Sequence, residues 1–265
     1  KPPFPAVSGL WANPTVVNNV ETIAAVPWIV NNSGADYAAI GVGRSTGTKL
    51  ISASGNIKNP GVYEIELGLS VYEFMNSDEY LGGMSSDRPL KAFVPGGSSV
   101  PVLPANLIYK TAAGEDRLMT YESLSDGGFA TGSMLGSGGF IVYNDTACIV
   151  RNTWNFSRFY HHESCGQCTP CREGTGWLEK VLHRIENGHG REEDIELLLS
   201  IQSKIEGNTI CPLGDAASWP VAAAIRHFRD EFEYHIRFPE KIKHRDHFVN
   251  EPFEKVKHLV AKQTV

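Results

Sequence analysis

The spacing of apolar positions along this chain changes twice. The first apolar stretch is NNVETIAAVPWIVNN, whose helical spacing predicts a short helix with Asn18 or Asn19 as its N-cap and Pro27 at its end. From Leu50 to Leu67 the period becomes two, and the turn residues of GNIKNPG between the two halves predict a β-hairpin. A short helix in SVYEFMNSDEYLGGM and strands in KAFV and GFIVYND complete a small mixed sheet.

Helical spacing returns after Asp145. Four stretches carry it, with glycines such as Gly188 and Gly207 between them: RNTWNFSRFYHHE, GTGWLEKVLHRIENGHG, REEDIELLLSIQSKIEGN and SWPVAAAIRHFRDEFEYHI. Short connections between amphipathic helices predict an antiparallel four-helix bundle. The charged C-terminal tail is expected to wrap a surface or to be partly disordered.

Composition narrows the class of protein. The chain has 265 residues, a net charge of −6 and 42% hydrophobic residues, enough for one large domain or two to three small ones. The acidic balance argues against a nucleic-acid binder. No apolar run approaches the roughly 18–20 residues of a membrane helix, and no signal peptide is recognisable. The opening KPPFPAVSGLW is typical of the middle of a chain, so we expect a fragment or a processed subunit.

The candidate chemistry lies in the cysteines. Cys165, Cys168 and Cys171 form a C-x2-C-x2-C run, and Cys211 follows 40 residues after the last of them. Three close thiolates and one remote thiolate are typical of cubane iron–sulfur clusters. Cys148, in the apolar stretch TACIV, is expected to be a buried structural thiol.

Two alternatives compete with the cluster. Structural zinc sites usually take their ligands in two pairs, and the second pair is missing here. His161 and His162 are candidate zinc ligands, but they would leave Cys211 without a role. A disulfide framework uses a triplet of cysteines poorly. The spacing alone therefore indicates a redox subunit and no particular substrate.

Two motifs carry a family resemblance, ESCGQCTPCREG and GNTICPLGDAASWP, together with PPFPAVSGLWANPTVVNNVET before them. Over residues 1–237 the chain resembles the NADH-binding flavoprotein subunit of respiratory complex I, the NADH-quinone oxidoreductase. Diaphorase subunits of NAD-reducing hydrogenases and of formate dehydrogenases share these motifs. The resemblance implies an α+β chain of four parts: the end of a Rossmann-like flavin domain (1–45), a ubiquitin-like β-grasp domain (46–145), a four-helix bundle with a [4Fe–4S] cluster (146–237) and a charged tail (238–265).

The resemblance also implies the site residues. The cluster ligands would be Cys165, Cys168, Cys171 and Cys211. The FMN contacts would be Val17, Asn18, Asn19, Thr22, Pro212 and Leu213. The nicotinamide nucleotide would meet Lys1 and Phe4. The family's glycine-rich phosphate loop comes earlier than this sequence begins, and GSGGFIV at 136–142 has the wrong order to replace it.

The function implied is that of an electron-input subunit, in which NADH reduces FMN and single electrons pass to the cluster. The implied partners are a small [2Fe–2S] subunit and a large iron–sulfur subunit, with no nucleic acid and no direct membrane insertion. The implied location is the cytoplasmic face of a membrane, as a peripheral part of a complex, and this chain alone is not expected to be active. The alternatives are a diaphorase subunit of a soluble hydrogenase or formate dehydrogenase, and a zinc-stapled binding module.

Overall fold

The structure, a computed structural model, describes residues 3–111, 113–243 and 247–261. The strands are β1 Gly41–Val42, β2 Ser45–Thr46, β3 Thr48–Gly55, β4 Gly61–Glu66, β5 Leu90–Val94, β6 Leu103–Pro104 and β7 Gly139–Asn144. The helices are α1 Val20–Asn31, α2 Gly34–Ala38, α3 Val71–Asn76, α4 Tyr121–Ser125, α5 Gly128–Thr131, α6 Ile149–Glu163, α7 Thr169–Glu186, α8 Asp194–Ile205, α9 Leu213–Arg237, α10 His247–Asn250, α11 Phe253–Val256 and α12 His258–Ala261. No helix in these ranges is long and apolar enough to cross a membrane.

Helix α1 follows its N-cap as predicted but runs past its proline. The side chain of Asn19 accepts hydrogen bonds from the backbone N–H groups of Glu21 and Thr22. The prediction that the helix ends at Pro27 is wrong, because it continues to Asn31. Its end is formed by Asn32, whose backbone and side-chain amides both donate to the carbonyl of Trp28. No residue of α1 is buried.

A five-stranded mixed sheet, in the order β4-β3-β7-β5-β6, forms the middle of the chain. The predicted hairpin is confirmed: β3 and β4 pair antiparallel, with Ile51 opposite Tyr63. Strand β7 pairs parallel with β3 and antiparallel with β5. Gly55 ends β3 with a φ of +97°, and a Cβ there would lie 2.1 Å from the carbonyl oxygen of Val142. The fold is therefore a mixed α/β arrangement built on a mixed sheet.

The sheet separates two hydrophobic cores because successive side chains of a strand point to opposite faces. On β5, Phe93 belongs to the core that contains Phe74 of α3 and Phe140 of β7. Its neighbours Ala92 and Val94 belong to the core that contains the long helices. Strand β5 thus holds the helical part against the sheet.

Helices α6 to α9 pack on one another. α6 contacts α7 and α9, α8 contacts α7 and α9, and α7 also contacts α9. Two glycines of α7 allow close approach: a Cβ at Gly174 would lie 2.6 Å from Ile205 of α8, and a Cβ at Gly176 would lie 3.0 Å from His161 of α6. Glycines therefore occupy the positions at which α7 contacts α8 and α6.

The tail is folded over residues 247–261 and packs on the long helices, which favours the first of its two expected arrangements, a tail that wraps a surface. Phe248, Phe253 and Val256 are buried. The rings of Phe248 and Phe253 lie 5.9 Å and 5.8 Å from that of Tyr234 in α9. Aromatic packing thus fixes α10 and α11 against α9, an outcome that the high charge of the tail does not suggest.

We expect Gly55→Ala to destabilise the protein by about 2–3 kcal/mol, because it combines a positive φ with overlap on the backbone of β7. The free energy of unfolding in urea measures the change. Gly61→Ala, on the other side of the hairpin turn, is the matched control, since a Cβ there meets no atom closer than 3.6 Å. Equal stability of the two variants would contradict the prediction.

Candidate metal centre

The four predicted cluster ligands lie at the starts of two long helices. Cys165 lies in the loop between α6 and α7, Cys168 is the N-cap of α7, and Cys171 is in its first turn. Cys211 comes two residues before α9. Cys171 is buried, Cys168 is partly buried, and Cys165 and Cys211 are exposed.

Electrostatics show that the structure brings the four thiols together. Burial raises the pKa of the Cys171 thiol, and the charges of Cys168, Cys211 and Cys165 all raise it further. The Ser164 hydroxyl, 3.2 Å from the Cys171 sulfur, acts in the opposite direction. Two loops that are 40 residues apart in sequence therefore meet at one place.

The first loop is held by contacts around its cysteines. Gly166 takes a φ of +74°, and its N–H donates to the Ser164 hydroxyl at 3.3 Å. Its carbonyl accepts a 2.9 Å hydrogen bond from the guanidinium of Arg172. The Thr175 hydroxyl donates to the carbonyl of Cys171 at 2.8 Å. The loop is thus tied to the first turns of α7.

The second loop has its own contacts. The Thr209 hydroxyl donates to the carbonyl of Cys211 at 2.9 Å, and a Cβ at Gly214 would lie 2.4 Å from the Thr209 side chain. The N–H of Gly207 donates to a carboxylate oxygen of Asp215 at 2.7 Å. These contacts tie the turn that carries Cys211 to the start of α9.

The donor set fits an iron–sulfur cluster better than a single ion. Four thiolates bound to one zinc ion at about 2.3 Å would lie about 3.8 Å apart. Within the described ranges, the one group of three or more candidate ligands whose donor atoms all lie within 4.8 Å of one another includes none of these four cysteines. No three of the four sulfurs are therefore as close together as one zinc ion requires. The N-termini of α7 and α9 supply positive potential that favours thiolates.

The predicted flavin contacts fall into two groups. Val17, Asn18, Asn19 and Thr22 are exposed, at or just before the start of α1. Pro212 is exposed and Leu213 partly buried, directly after Cys211. The side-chain oxygen of Asn19 serves as the helix cap, which is its structural role here.

The predicted nucleotide contacts are described in part. Phe4 is 66% exposed in the N-terminal segment. Lys1 lies outside the described residues.

Sequence reasoning missed two features. Ser164 contributes a hydroxyl to the Cys171 sulfur, and its position next to Cys165 is the signal that points to it. Cys148 is buried, as predicted, but its surroundings are polar: Glu186 lies 3.7 Å and His235 3.3 Å from its sulfur. Local sequence gives no sign of these two neighbours, since both lie far along the chain.

Comparison with known proteins defines the class first. Residues 151–235 match the family model described as the NADH-ubiquinone oxidoreductase-F iron-sulfur binding region. This range contains all four cysteines, which places the site in an iron–sulfur region of redox proteins. The solved structure of an NAD+-reducing [NiFe]-hydrogenase in its H2-reduced state matches with a TM-score of 0.72 and 32% identity, over 89% of this chain and 37% of that chain.

The particular relatives are F subunits. The chain is 48% identical over 237 residues to the NADH-quinone oxidoreductase F subunit 2 of Rhizobium meliloti, covering 89% of this chain and 53% of the relative. It is 46% identical to the F subunit of Rickettsia typhi, with the same two coverages, and 44% identical to that of Mycobacterium tuberculosis, over 89% of this chain and 50% of the relative. The resemblance found in the sequence is confirmed: this chain is a homologue of the F subunit of NADH-quinone oxidoreductase. It spans about half the length of the curated relatives it matches.

We expect Asn19→Ala to weaken α1 by about 1 kcal/mol, the usual cost of losing an N-cap side chain. Hydrogen exchange of the α1 amides measures the change, because the helix lacks a buried face that would couple it to global unfolding. Asn18→Ala leaves the cap in place and is the control. Equal exchange rates in the two variants would show that the cap does not stabilise the helix.

Proposed function

We propose that this chain forms the electron-input part of an NADH-quinone oxidoreductase, in which NADH is oxidised and electrons leave singly through a [4Fe–4S] cluster. One observation carries the proposal. The four predicted ligands, Cys165, Cys168, Cys171 and Cys211, meet at the starts of two helices inside the region matched by the iron–sulfur family model. The mixed fold and the F-subunit homologues support it.

The finer architecture follows from the same proposal. Residues 1–45 correspond to the end of a Rossmann-like flavin domain, and residues 46–145 form a β-grasp domain around the mixed sheet. Residues 146–237 form an antiparallel four-helix bundle that carries the cluster, followed by a tail at 238–265. The mutual packing of α6 to α9 is the support for the bundle.

The protein's task at this site is to hold groups rather than to transfer protons. FMN supplies hydride chemistry and the cluster supplies one-electron chemistry when they are bound, so no side chain has to act as a general acid or base. The four cysteines hold the cluster, and Ser164 supplies a hydrogen bond to one of its ligands. Cluster binding would displace the proton of the Cys171 thiol to solvent, a proton that burial otherwise helps to retain.

The remaining binding roles rest on the family resemblance. We assign Val17, Asn18, Asn19 and Thr22 to the flavin, together with Pro212 and Leu213. The last two connect the proposed flavin site to the ligand Cys211, which precedes them directly. Lys1 and Phe4 are assigned to the nicotinamide nucleotide, and the exposed ring of Phe4 is suited to stacking on an adenine.

The proposed partners are NADH, a small [2Fe–2S] subunit and a large iron–sulfur subunit. Attachment to the membrane would be indirect, through those subunits, on the cytoplasmic face. The electron path would leave this chain through the cluster, since two of its ligands, Cys165 and Cys211, lie at the surface.

A diaphorase subunit of a soluble hydrogenase or formate dehydrogenase is the second candidate. The structural match to an NAD+-reducing [NiFe]-hydrogenase favours it. The identity to that protein is 32%, against 44–48% for the F subunits, and we therefore prefer the quinone oxidoreductase. A zinc-stapled binding module is disfavoured because no three of the four sulfurs all lie within 4.8 Å of one another.

Cys211→Ser should abolish the cluster, because it removes the ligand that joins the second loop to the first. We expect about four irons and four sulfides per wild-type chain after anaerobic purification, with an EPR signal on dithionite reduction. The variant should lose that signal. Cys148→Ser, outside the site, is the control and should keep it. One zinc per wild-type chain without any signal would refute the proposed function.

Ser164→Ala should lower the midpoint potential of the cluster by roughly 40 mV. A hydrogen bond worth about 1 kcal/mol stabilises the more negative, reduced form, and 1.4 kcal/mol corresponds to 59 mV for one electron. An EPR-monitored redox titration measures the midpoint. Ser203→Ala is the control, because its hydroxyl donates to the carbonyl of Ser200 instead. An unchanged midpoint in Ser164→Ala would remove this hydroxyl from the cluster environment.

A further inference from the structure

A second group of metal-binding side chains lies outside the four-cysteine site. Cys148 is the N-cap of α6, Glu186 ends α7, His235 lies near the end of α9, and His247 begins α10. Cys148, Glu186 and His235 are buried, and His247 is partly buried. Four elements distant in sequence thus contribute to one polar cluster in an apolar core.

The distances are short enough for one ion. The donor atoms of Cys148, His235 and His247 all lie within 4.8 Å of one another. A carboxylate oxygen of Glu186, Oε2, lies 3.7 Å from the Cys148 sulfur and 3.5 Å from Nε2 of His235. Thiolate, imidazole and carboxylate are the ligands that zinc takes in proteins, usually four of them in a tetrahedron.

The imidazole of His235 is oriented for binding. Its Nδ1 lies 2.8 Å from the backbone carbonyl of Glu231, and a carbonyl can only accept a hydrogen bond. Nδ1 therefore carries a proton, and Nε2 faces Cys148 and Glu186. Metal-binding histidines are commonly held in this way by a carbonyl or carboxylate on their other nitrogen.

Only one carboxylate oxygen of Glu186, Oε2, faces the candidate zinc site. The other oxygen, Oε1, accepts a 2.6 Å hydrogen bond from the guanidinium of Arg151. Glu231 accepts from the N–H of Ile149 at 2.6 Å and pairs with Lys91 at 2.7 Å. Glu186 Oε2 accepts from the Cys148 thiol at 3.7 Å and pairs with Nε2 of His235 at 3.5 Å, and a bound cation would replace these two contacts.

We propose that Cys148, His235 and His247 bind a zinc ion, with Glu186 as the fourth ligand. Binding forms a zinc–sulfur bond and releases the thiol proton of Cys148 to solvent. The ion would fasten the tail, through His247, to the ends of three long helices. It is a structural site, separate from the redox site, and no electron transfer passes through it.

The rival arrangement is a hydrogen-bonded cluster in which a proton takes the place of the ion. Burial, together with the charges of Glu186 and Glu231, raises the pKa of the Cys148 thiol, so the metal-free protein keeps the thiol neutral.

The test uses the full chain, purified anaerobically with its cluster, equilibrated with zinc and desalted. Zinc and iron are measured on the same samples. We expect about one zinc per wild-type chain, and at least tenfold weaker zinc binding in Cys148→Ser and in His247→Ala, with iron unchanged. His162→Ala is the control, since that side chain is 85% exposed on α6. No zinc in the wild type, or equal zinc in all variants, would overturn the proposal.

Folding and the first site are controlled separately. Serine can replace the Cys148 sulfur as N-cap, and His247 belongs to a four-residue helix of the tail, so both variants should fold and keep their iron. Zinc held by the four-cysteine site would be lost in Cys211→Ser and kept in Cys148→Ser, the reverse of the pattern expected here. Zinc-edge X-ray absorption gives a second readout: one sulfur at about 2.3 Å with lighter ligands supports the proposal, and four sulfurs refute it.

Discussion

The mutual repulsion of closely spaced thiolates is the constraint around which the helical part is built. Burial is the largest cause that raises the pKa of the Cys171 thiol, and the charges of Cys168, Cys211 and Cys165 raise it further. Positive charge must offset this, and the chain supplies it through the N-termini of α7 and α9. The cluster iron proposed here would supply the rest. The N-termini of α7 and α9 therefore both have to point at the four-cysteine site.

Close packing makes that arrangement possible. Gly174 and Gly176 let α7 approach α8 and α6, and Gly214 lets the turn before α9 close on Thr209. Strand β5 carries Val94 into the core beneath the helices and Phe93 into the core of the sheet. The helices that carry the ligand loops therefore pack on strand β5, whose position is fixed by both the helical core and the sheet core.

Features that depend on neighbouring residues were predictable from the sequence, and features that depend on distant ones were not. The β3–β4 hairpin is a local pattern, and its prediction is confirmed. The cysteine spacing is also local, and it indicated the iron–sulfur region that the family model matches. The parallel pairing of β3 with β7 depends on packing between distant segments, which no local pattern records. Pro27 inside α1 and the burial of Phe248 depend on context in the same way. The neighbours of Cys148 come from other elements altogether.

Helix α1 lacks a buried face, and one carboxylate anchors it to the sheet. Glu21 accepts from the N–H of Leu50 at 2.7 Å and pairs with Lys49 at 2.5 Å. Partial burial works to raise the pKa of Glu21, but these two contacts outweigh it and lower that pKa. The anchor is therefore intact at neutral pH and is lost as the pH falls through the lowered pKa. Acid and high ionic strength should both loosen the N-terminal segment while the sheet and helices stay folded.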